Sequence, residues 1–436
     1  MKNRWKTVCL AGVALVLAWL LSGCSAPSSA EELFTLPQLP IEYTGLSRQI
    51  SDLIDAGYEY ASPTSGRNIQ SVQMVDLDGD GDEEAVTFFR RSSDEKPLKI
   101  FIFSAHNDTY ELLCTISSSG TAVDSVYYSD LTGDNRLELV VGWRISPDVQ
   151  TVTAYTIGRE PSVLMQSSYV RYSIEELDGD GIPSLLIFRS DDEGNSVAEF
   201  YSWRDDVMGV SFSANLSSTM AELARGSVVS GRLMDGMAAL FVTGVTDENM
   251  MIADILTYRS GQGLINMALD QQTGSSSMVF PYMLLRPQDI DGDGVTEVPC
   301  PETQRDNQVT GIVDWLSYDG DGLAKRVMTT YHNPAGGWYF VLPEGWPGHV
   351  EVFNSDSGIN ELQTTLVVNG HEAAIIYTLT GENQENRAMR GNREVIKRQT
   401  GTTYAGEVLP AGKSFGLTEA VLHQNFKLIT NQWAIG

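Results

Sequence analysis

Cysteine is scarce in this chain of 436 residues, which contains four. Cys9 lies within the N-terminal apolar run and Cys24 just after it, so only Cys114 and Cys300 remain in the body of the chain. Two cysteines this far apart in sequence do not make a disulfide framework. We therefore expect both to be free thiols on strands, with one disulfide between them as the alternative.

Histidine and basic residues are also few. The five histidines lack a metal-binding spacing such as His-Glu-x-x-His. Twenty-nine Lys and Arg against 57 Asp and Glu give a formal net charge of −28. A surface this acidic repels phosphate backbones, which argues against nucleic-acid binding, and it attracts divalent cations.

Long apolar runs are missing beyond the N-terminus. Residues 8–21 form a run of 14 residues after a basic start. A bilayer span needs about 20 residues, so this run fits the core of a secretory signal better. We expect no other segment to cross a membrane.

The tetrapeptide Leu-Ser-Gly-Cys24 follows that run. It resembles the lipobox of bacterial lipoproteins, and the resemblance implies cleavage before Cys24 and attachment of lipid to its sulfur. An ordinary signal peptide with a chance cysteine is the alternative. We predict a signal peptide over residues 1–24, a flexible tether over residues 25–40, and an extracytoplasmic protein anchored by lipid to the bacterial cell membrane.

In contrast to these absences, one acidic loop occurs four times, over residues 76–84, 130–138, 176–184 and 289–297. Oxygen side chains stand at every second position and glycines stand where the backbone must turn, which suits a hard cation such as Ca²⁺. The predicted ligands are Asp76, Asp78, Asp80, Glu84, Asp130, Asp134, Glu138, Glu176, Asp178, Asp180, Asp289, Asp291, Asp293 and Glu297. The alternative is that these Asp-Gly turns only cap tight hairpins without metal.

The EF-hand shares alternating carboxylates but needs a bidentate Glu at position twelve and flanking helices. Position twelve of the four loops is occupied by Thr87, Val141, Ile187 and Cys300. The acid falls at position nine instead, except in the third copy, which has Ser184 there. The pattern excludes an EF-hand and predicts fuller sites in the first and last copies.

Each loop lies between two short strand-like runs, and two more such runs follow it. The run predicted before the last loop covers residues 280–285. A fifth unit, whose loop keeps only Asp235, fills the double gap between the third and fourth acidic loops. Repetition at roughly fifty residues indicates a copied structural unit, and four-stranded sheets in radial repetition are propeller blades. We predict a mainly β protein with a five-bladed β-propeller of four-stranded blades; a solenoid or a tandem of sandwiches is the alternative.

The acidic loops resemble the FG-GAP and VCBS-type repeats of secreted and integrin-like β-propellers. That resemblance implies Ca²⁺ bound between two strands of a blade, and it covers residues 66–335. The Phe-Gly and Gly-Ala-Pro tripeptides of the integrin version are missing, so the looser bacterial kind is the better comparison.

Helical spacing over residues 44–58 predicts an amphipathic helix packed on the propeller, within an N-terminal segment of residues 41–65. Residues 336–436 read as a small C-terminal α+β domain, with a sixth, loop-less blade as the alternative. Strands are predicted there at residues 338–342, 349–353, 362–368 and 373–380, and helices at 385–390 and 418–425.

Catalytic signals are weak. Residues 412–416 match the short nucleophile-elbow pattern around Ser414, but His423 is the one histidine that follows, and it lies in a predicted helix and not on the parallel sheet that a hydrolase needs. We predict a monomeric, non-enzymatic binding module for a protein or glycan partner. The alternatives are a cell-envelope carbohydrate-active enzyme, whose paired carboxylates would meet at the propeller axis, and a scaffold subunit of an envelope complex.

Overall fold

The computed structural model describes residues 44–106, 109–303 and 309–430. The predicted signal peptide, the predicted lipidation site Cys24 and the predicted tether therefore lie outside the described residues. Across the described ranges the fold is mainly β, with six antiparallel sheets of four or five strands and a few short helices. Within the described part of the chain, no helix is both long enough and apolar enough to span a membrane.

Helix α1, Thr44–Asp55, covers the outer face of the first sheet. Leu46 and Ile50 are buried, and they pack with Phe89 and Phe101 in one cluster. The helix ends three residues before the predicted end at residue 58 because Gly57 takes a positive φ of 88°, a conformation that breaks helical geometry and that glycine adopts at little cost.

The first three sheets follow the predicted units closely. The first contains β1 (Glu59–Tyr60), β2 (Val72–Val75), β3 (Glu84–Arg90), β4 (Leu98–His106) and β5 (Thr109–Ser118). The second contains β6 (Ala122–Ser129), β7 (Glu138–Ser146), β8 (Val149–Thr156) and β9 (Ser162–Ser168). The third contains β10 (Arg171–Glu175), β11 (Ser184–Ser190), β12 (Ser196–Arg204) and β13 (Val207–Asn215).

The fourth sheet follows helix α2 (Met220–Arg225) and contains β14 (Ser227–Arg232), β15 (Ala238–Val245), β16 (Met250–Arg259), β17 (Gly263–Asn266) and β18 (Val279–Pro281). The fifth contains β19 (Val298–Thr303), β20 (Val309–Tyr318), β21 (Ala324–Asn333), β22 (Trp338–Val341) and, from the C-terminal end, β28 (Phe426–Leu428).

The last predicted unit differs from the structure at its first strand. Residues 280–285 were expected to form that strand, but β18 instead pairs with β16 of the fourth sheet. Where the first strand of the fifth sheet was expected, the described structure has only a single β-bridge between Gln288 and Glu297. The physical reason is Pro281 within the segment and Pro287 two residues after it, since neither has an N–H to donate to a ladder.

The sixth sheet contains β23 (Val350–Gly358), β24 (Glu361–Val368), β25 (His371–Thr380), β26 (Glu394–Gln399) and β27 (Thr402–Val408). Three short helices accompany it: α3 (Gln384–Ala388), α4 (Pro410–Ser414) and α5 (Glu419–Asn425). Ser414 ends α4, and its hydroxyl donates to the carbonyl of Pro410. It therefore does not occupy the strand-to-helix turn of a nucleophile elbow.

The predicted boundary between residues 335 and 336 lies within the fifth sheet. Strand β22 pairs with β21, and β28 pairs with β22. One hydrophobic cluster then joins this sheet to the sixth, with Trp338 and Phe340 packed against Leu366 and Ile376. Fifth and sixth sheets thus share a core.

Neighbouring sheets pack face to face in chain order. Separate hydrophobic clusters join the first sheet to the second, the second to the third, the third to the fourth and the fourth to the fifth. The first strands also meet at the edges of the sheets: the Tyr128 hydroxyl donates to Gln73 at 2.7 Å, Ser125 lies 2.8 Å from the Tyr172 hydroxyl, and Ser230 donates to Glu175 at 2.6 Å. This packing brings the loops that follow the first strands to the same end of successive sheets.

Candidate metal centres in the acidic loops

Each acidic loop joins the first strand of a sheet, or its equivalent, to the second. We name the loops by their first residue: the Asp76 loop (76–84), the Asp130 loop (130–138), the Glu176 loop (176–184) and the Asp289 loop (289–297). In the Asp76 loop the first carboxylate accepts from the backbone N–H groups of Gly79, at 2.7 Å, and Gly81, at 3.1 Å. The first acid therefore fixes the turn.

Both contacts recur in the Asp130 and Asp289 loops at 2.7 to 2.9 Å, and the first recurs in the Glu176 loop at 2.6 Å. The turn requires left-handed backbone: Gly79 and Gly81 have φ of 77° and 95°. In the Asp130 loop Asn135 takes the second of these positions with φ of 66°, which is a conformation that Asn tolerates better than most residues.

In three of the loops the glutamate at position nine accepts a hydrogen bond from the backbone N–H of the second residue of the same loop. Glu84, Glu138 and Glu297 are buried, and their carboxylates accept from the backbone N–H groups of Leu77, Leu131 and Ile290 at 2.8 to 3.1 Å. Burial is the main cause that raises the pKa of each, and the carboxylates at the other loop positions raise it further. For Glu297 the pKa rises to about 7.

Three of the four loops bring three carboxylates together, with one oxygen of each within 4.8 Å of the others. The groups are Asp76, Asp78 and Glu84; Glu176, Asp178 and Asp180; and Asp289, Asp291 and Glu297. These clusters could hold a metal ion. The third loop builds its cluster without an acid at position nine.

The remaining predicted ligands have other local roles. Asp80 accepts from the N–H of Asp82, Asp134 from that of Arg136, and Asp293 from that of Val295. In the Asp130 loop Thr132 stands where the other loops have a third-position carboxylate, and its hydroxyl is buried without a hydrogen-bond partner in the described structure. That loop has fewer charged oxygens to offer a cation.

Two carboxylate oxygens in the clusters have no hydrogen-bond partner within the described residues. They are Oε1 of Glu297, whose residue is fully buried, and Oδ1 of Asp178, whose side chain is 4 % exposed. A buried carboxylate oxygen left unpaired is costly, and native structures pair most such atoms. A cation in the cluster would supply the missing partner.

Arginines border two of the clusters, which the sequence patterns did not indicate. Arg136 of the Asp130 loop lies 3.8 Å from Asp78, and Arg204 lies 3.5 Å from Asp178. The first pair also shows that adjacent loops meet, as does the hydrogen bond from the N–H of Leu137 to the carbonyl of Leu77 at 2.8 Å. A basic residue at position seven of a loop was the available signal for Arg136.

Asp235, the one acid of the degenerate loop, accepts from the backbone N–H of Gly320 at 3.0 Å. That glycine lies in the Asp-Gly-Asp-Gly turn over residues 319–322, between β20 and β21. Asp235 therefore caps a turn of the neighbouring sheet. Cys114 and Cys300 are both free, on β5 and β19, as expected.

Comparisons with known proteins assign no family. A scan of protein-family models and a search of curated proteins found no match. Among solved structures the chain is similar to a hypothetical protein from Leishmania major, at 13% identity over 66% of this chain and 96% of that one, with a TM-score of 0.23. It is also similar to an exo-β-1,3-galactanase from Phanerochaete chrysosporium solved with β-1,3-galactotriose, at 11% identity over 77% of this chain and 82% of that one, with a TM-score of 0.27. At such scores neither structure assigns a fold or a function to this chain.

Proposed function

We propose that the Asp76, Glu176 and Asp289 loops bind Ca²⁺ and that the bound ions stabilise the sheets from which the loops emerge. The observation that carries this proposal is that Oε1 of fully buried Glu297, a member of the cluster with Asp289 and Asp291, has no hydrogen-bond partner among the described residues. A protein that kept this oxygen without a cation would pay its desolvation without compensation.

The ligand chemistry favours Ca²⁺ over other ions. All three clusters offer only carboxylate oxygens, whereas Zn²⁺ sites in proteins favour thiolate and imidazole. Ca²⁺ accepts six to eight oxygens in flexible geometry, so three carboxylates, backbone carbonyls and water can complete its shell. Mg²⁺ demands stricter octahedral geometry and retains its own waters.

The location of the clusters supports a structural role. Each lies where a first strand, or the single bridge that replaces it in the fifth sheet, passes into a buried second strand. The Asp76 and Asp130 loops also contact each other across two sheets. At about 1 mM Ca²⁺ a site with a Kd of roughly 0.1 mM adds about 1.4 kcal/mol to the free energy of unfolding. Three such sites would be a substantial fraction of the stability of an ordinary domain.

For the whole molecule we propose a propeller of FG-GAP/VCBS-like blades in a lipid-anchored extracytoplasmic protein that binds a protein or glycan partner. The ordered face-to-face packing of the sheets and the contacts between consecutive first strands support the propeller. The lipobox-like Cys24 motif supports the anchor.

Thermal unfolding of the purified protein in EDTA and across a Ca²⁺ titration tests the metal proposal. We expect a rise of a few degrees in Tm at 1 mM Ca²⁺ that is reduced in Asp291→Asn, since the substitution weakens one cluster. Asp192→Asn removes the same charge from an exposed turn and serves as the matched control. Equal Tm values in EDTA and in Ca²⁺ would contradict the proposal and would mean that the loops act only as turns.

Screening the Ca²⁺-loaded protein against an array of surface glycans tests the binding role. Retention of intact glycans supports a binding module. Release of shortened glycans or free sugar would overturn the non-enzymatic assignment.

A further inference from the structure

A basic pocket lies at the end of the third and fourth sheets opposite the acidic loops. Arg171 begins β10, whereas the Glu176 loop begins directly after its last residue, so a strand of five residues, spanning roughly 15 Å, separates the two. The pocket has a volume of about 220 Å³, and Arg171, Arg225 and Arg286 contribute to its lining.

The charge of this pocket is opposite to that of the protein as a whole. The chain carries a formal net charge of −28, yet no Asp or Glu is among the described residues that line the cavity. Asp247, which does not line the cavity and is 84% exposed, pairs with Arg225. An ion pair so exposed is strongly screened and contributes little.

Backbone contacts hold two of the guanidinium groups at the pocket. Arg171 donates through Nη2 to the carbonyl of Ala224 at 2.9 Å, and Arg225 donates through Nε to the carbonyl of Val245 at 2.9 Å. Each guanidinium has five N–H donors in a planar fork, so these bonds fix its position and use only part of its donors. Fixed guanidinium forks match the geometry of carboxylates.

Part of the cavity wall is apolar. Met251, Tyr282 and Leu284 line the same cavity, and Leu284 is 67% exposed. The volume equals that of about seven water molecules at roughly 30 Å³ each, which suits a small ligand or the end group of a larger one. Together the wall and the arginines favour an anion with an organic body over an inorganic oxyanion.

We propose that this pocket binds a small organic carboxylate, or a terminal carboxylate of a larger ligand, between the guanidinium groups of Arg171 and Arg225 and the apolar wall. The site is distinct from the proposed cation sites and does not depend on them. Binding is therefore expected in EDTA as well as in Ca²⁺, and this condition separates its failure from a failure of the metal proposal.

Calorimetric titration of the purified protein with glucuronate and benzoate, each beside its neutral counterpart, glucose or benzyl alcohol, tests the proposal. We expect at least one acid to bind while its neutral counterpart does not, and Arg171→Gln and Arg225→Gln to weaken that binding roughly tenfold each, as loss of a charged hydrogen bond implies. Arg398→Gln, which removes an exposed arginine of the sixth sheet, should bind normally.

Leu284→Glu tests the pocket without removing a structural contact of an arginine. It places a carboxylate in the cavity at an exposed position, and we expect it to abolish binding while Tm is maintained. Leu323→Glu makes the same change at a leucine that is 68% exposed outside the pocket and should not affect binding. Absence of binding by both acids, or unchanged binding in Leu284→Glu, would overturn the proposal.

Discussion

The carboxylate of Glu297 accepts a hydrogen bond from the backbone N–H of Ile290 at 3.1 Å, while its second oxygen has no hydrogen-bond partner in the described structure. One oxygen therefore closes the loop, and the other is available to a cation. Glu297 also pairs with Gln288 in the single β-bridge that replaces the first strand of the fifth sheet.

Glu297→Gln is expected to remove most of the Ca²⁺-dependent stabilisation contributed by the Asp289 loop, about 1.4 kcal/mol at 1 mM Ca²⁺ for a site with a Kd of roughly 0.1 mM. The glutamine can still accept from Ile290, so stability in EDTA should be maintained or increase because a buried charge is gone. Urea unfolding in EDTA and in Ca²⁺ measures both effects.

Glu138→Gln is the matched control for that change. Glu138 is equally buried and accepts from Leu131 in the same way, but its loop has Thr132 at position three and forms no three-carboxylate cluster among the described residues. We expect little loss of Ca²⁺ response. If Glu138→Gln and Glu297→Gln lost equal amounts of the Ca²⁺-dependent stabilisation, the cause would be disruption of the loop structure and not loss of a metal ligand.

Arg204→Gln is expected to tighten cation binding by the Glu176 loop. The guanidinium lies 3.5 Å from Asp178, so it competes with a cation for that carboxylate and repels the ion. Because Arg204 is 51% exposed, the gain should be modest, about two- to fivefold in Kd. A Ca²⁺ titration followed by calorimetry measures it.

Arg326→Gln provides the comparison, since Arg326 is 53% exposed and pairs with Asp314 outside the acidic loops. It removes the same charge and should leave cation binding unchanged. A similar gain in both variants would point to net charge, and not to competition at Asp178.

His332 should make stability fall as the pH decreases. Its side chain is buried against Tyr339, and burial lowers its pKa to about 3 from a usual value of 6.5. The stabilisation is present above pH 6.5, where both states are neutral, and is lost toward pH 3, because only the unfolded state takes up the proton. Uptake of one proton on unfolding makes the free energy of unfolding fall by about 1.4 kcal/mol for each pH unit between these two pKa values.

Urea unfolding at pH 7 and pH 5 compares the native protein with His332→Gln. The variant should be less stable at pH 7, since it loses buried packing, but its stability should depend less on pH by about one proton. Exposed His371, changed to Gln in the same way, should leave the slope unaltered. If the free energy of unfolding of His332→Gln depended on pH as steeply as that of the native protein, this would contradict the assignment of buried His332 as neutral.

Thr378→Val should destabilise the junction between the fifth and sixth sheets. The indole N–H of buried Trp338 donates to the Thr378 hydroxyl at 3.0 Å, and a donor left unsatisfied costs about 1–3 kcal/mol. If the shared core makes one cooperative unit, the whole calorimetric transition should move to lower temperature. A separate early transition, with the main one unmoved, would show that the sixth sheet unfolds alone.

The sheets could be predicted from the sequence where a hydrophobic strand and an acidic turn recur together at a regular spacing. The position-nine glutamates illustrate this, because each begins or immediately precedes a buried strand and its carboxylate must turn back into the loop. The prediction of a first strand over residues 280–285 was wrong, because the apolar composition of this segment fits a strand while Pro281 and Pro287 limit where it can pair.

The pairings between distant segments were not predictable. No local pattern shows that β28 returns to β22, or that Asp235 caps a turn 85 residues away. The basic pocket was missed for the same reason, since Arg171, Arg225 and Arg286 are isolated in sequence and meet only through the packing of two sheets. Interactions of this kind depend on tertiary structure and not on spacing.

Calorimetric titration of Ca²⁺ into metal-free protein tests the central claim most directly. We predict saturable binding at up to three sites with Kd values of roughly 0.1–1 mM, and its loss in a variant that combines Asp78→Asn, Asp178→Asn and Asp291→Asn. Absence of saturable heat in the native protein, or binding that survives in the triple variant, would contradict the account.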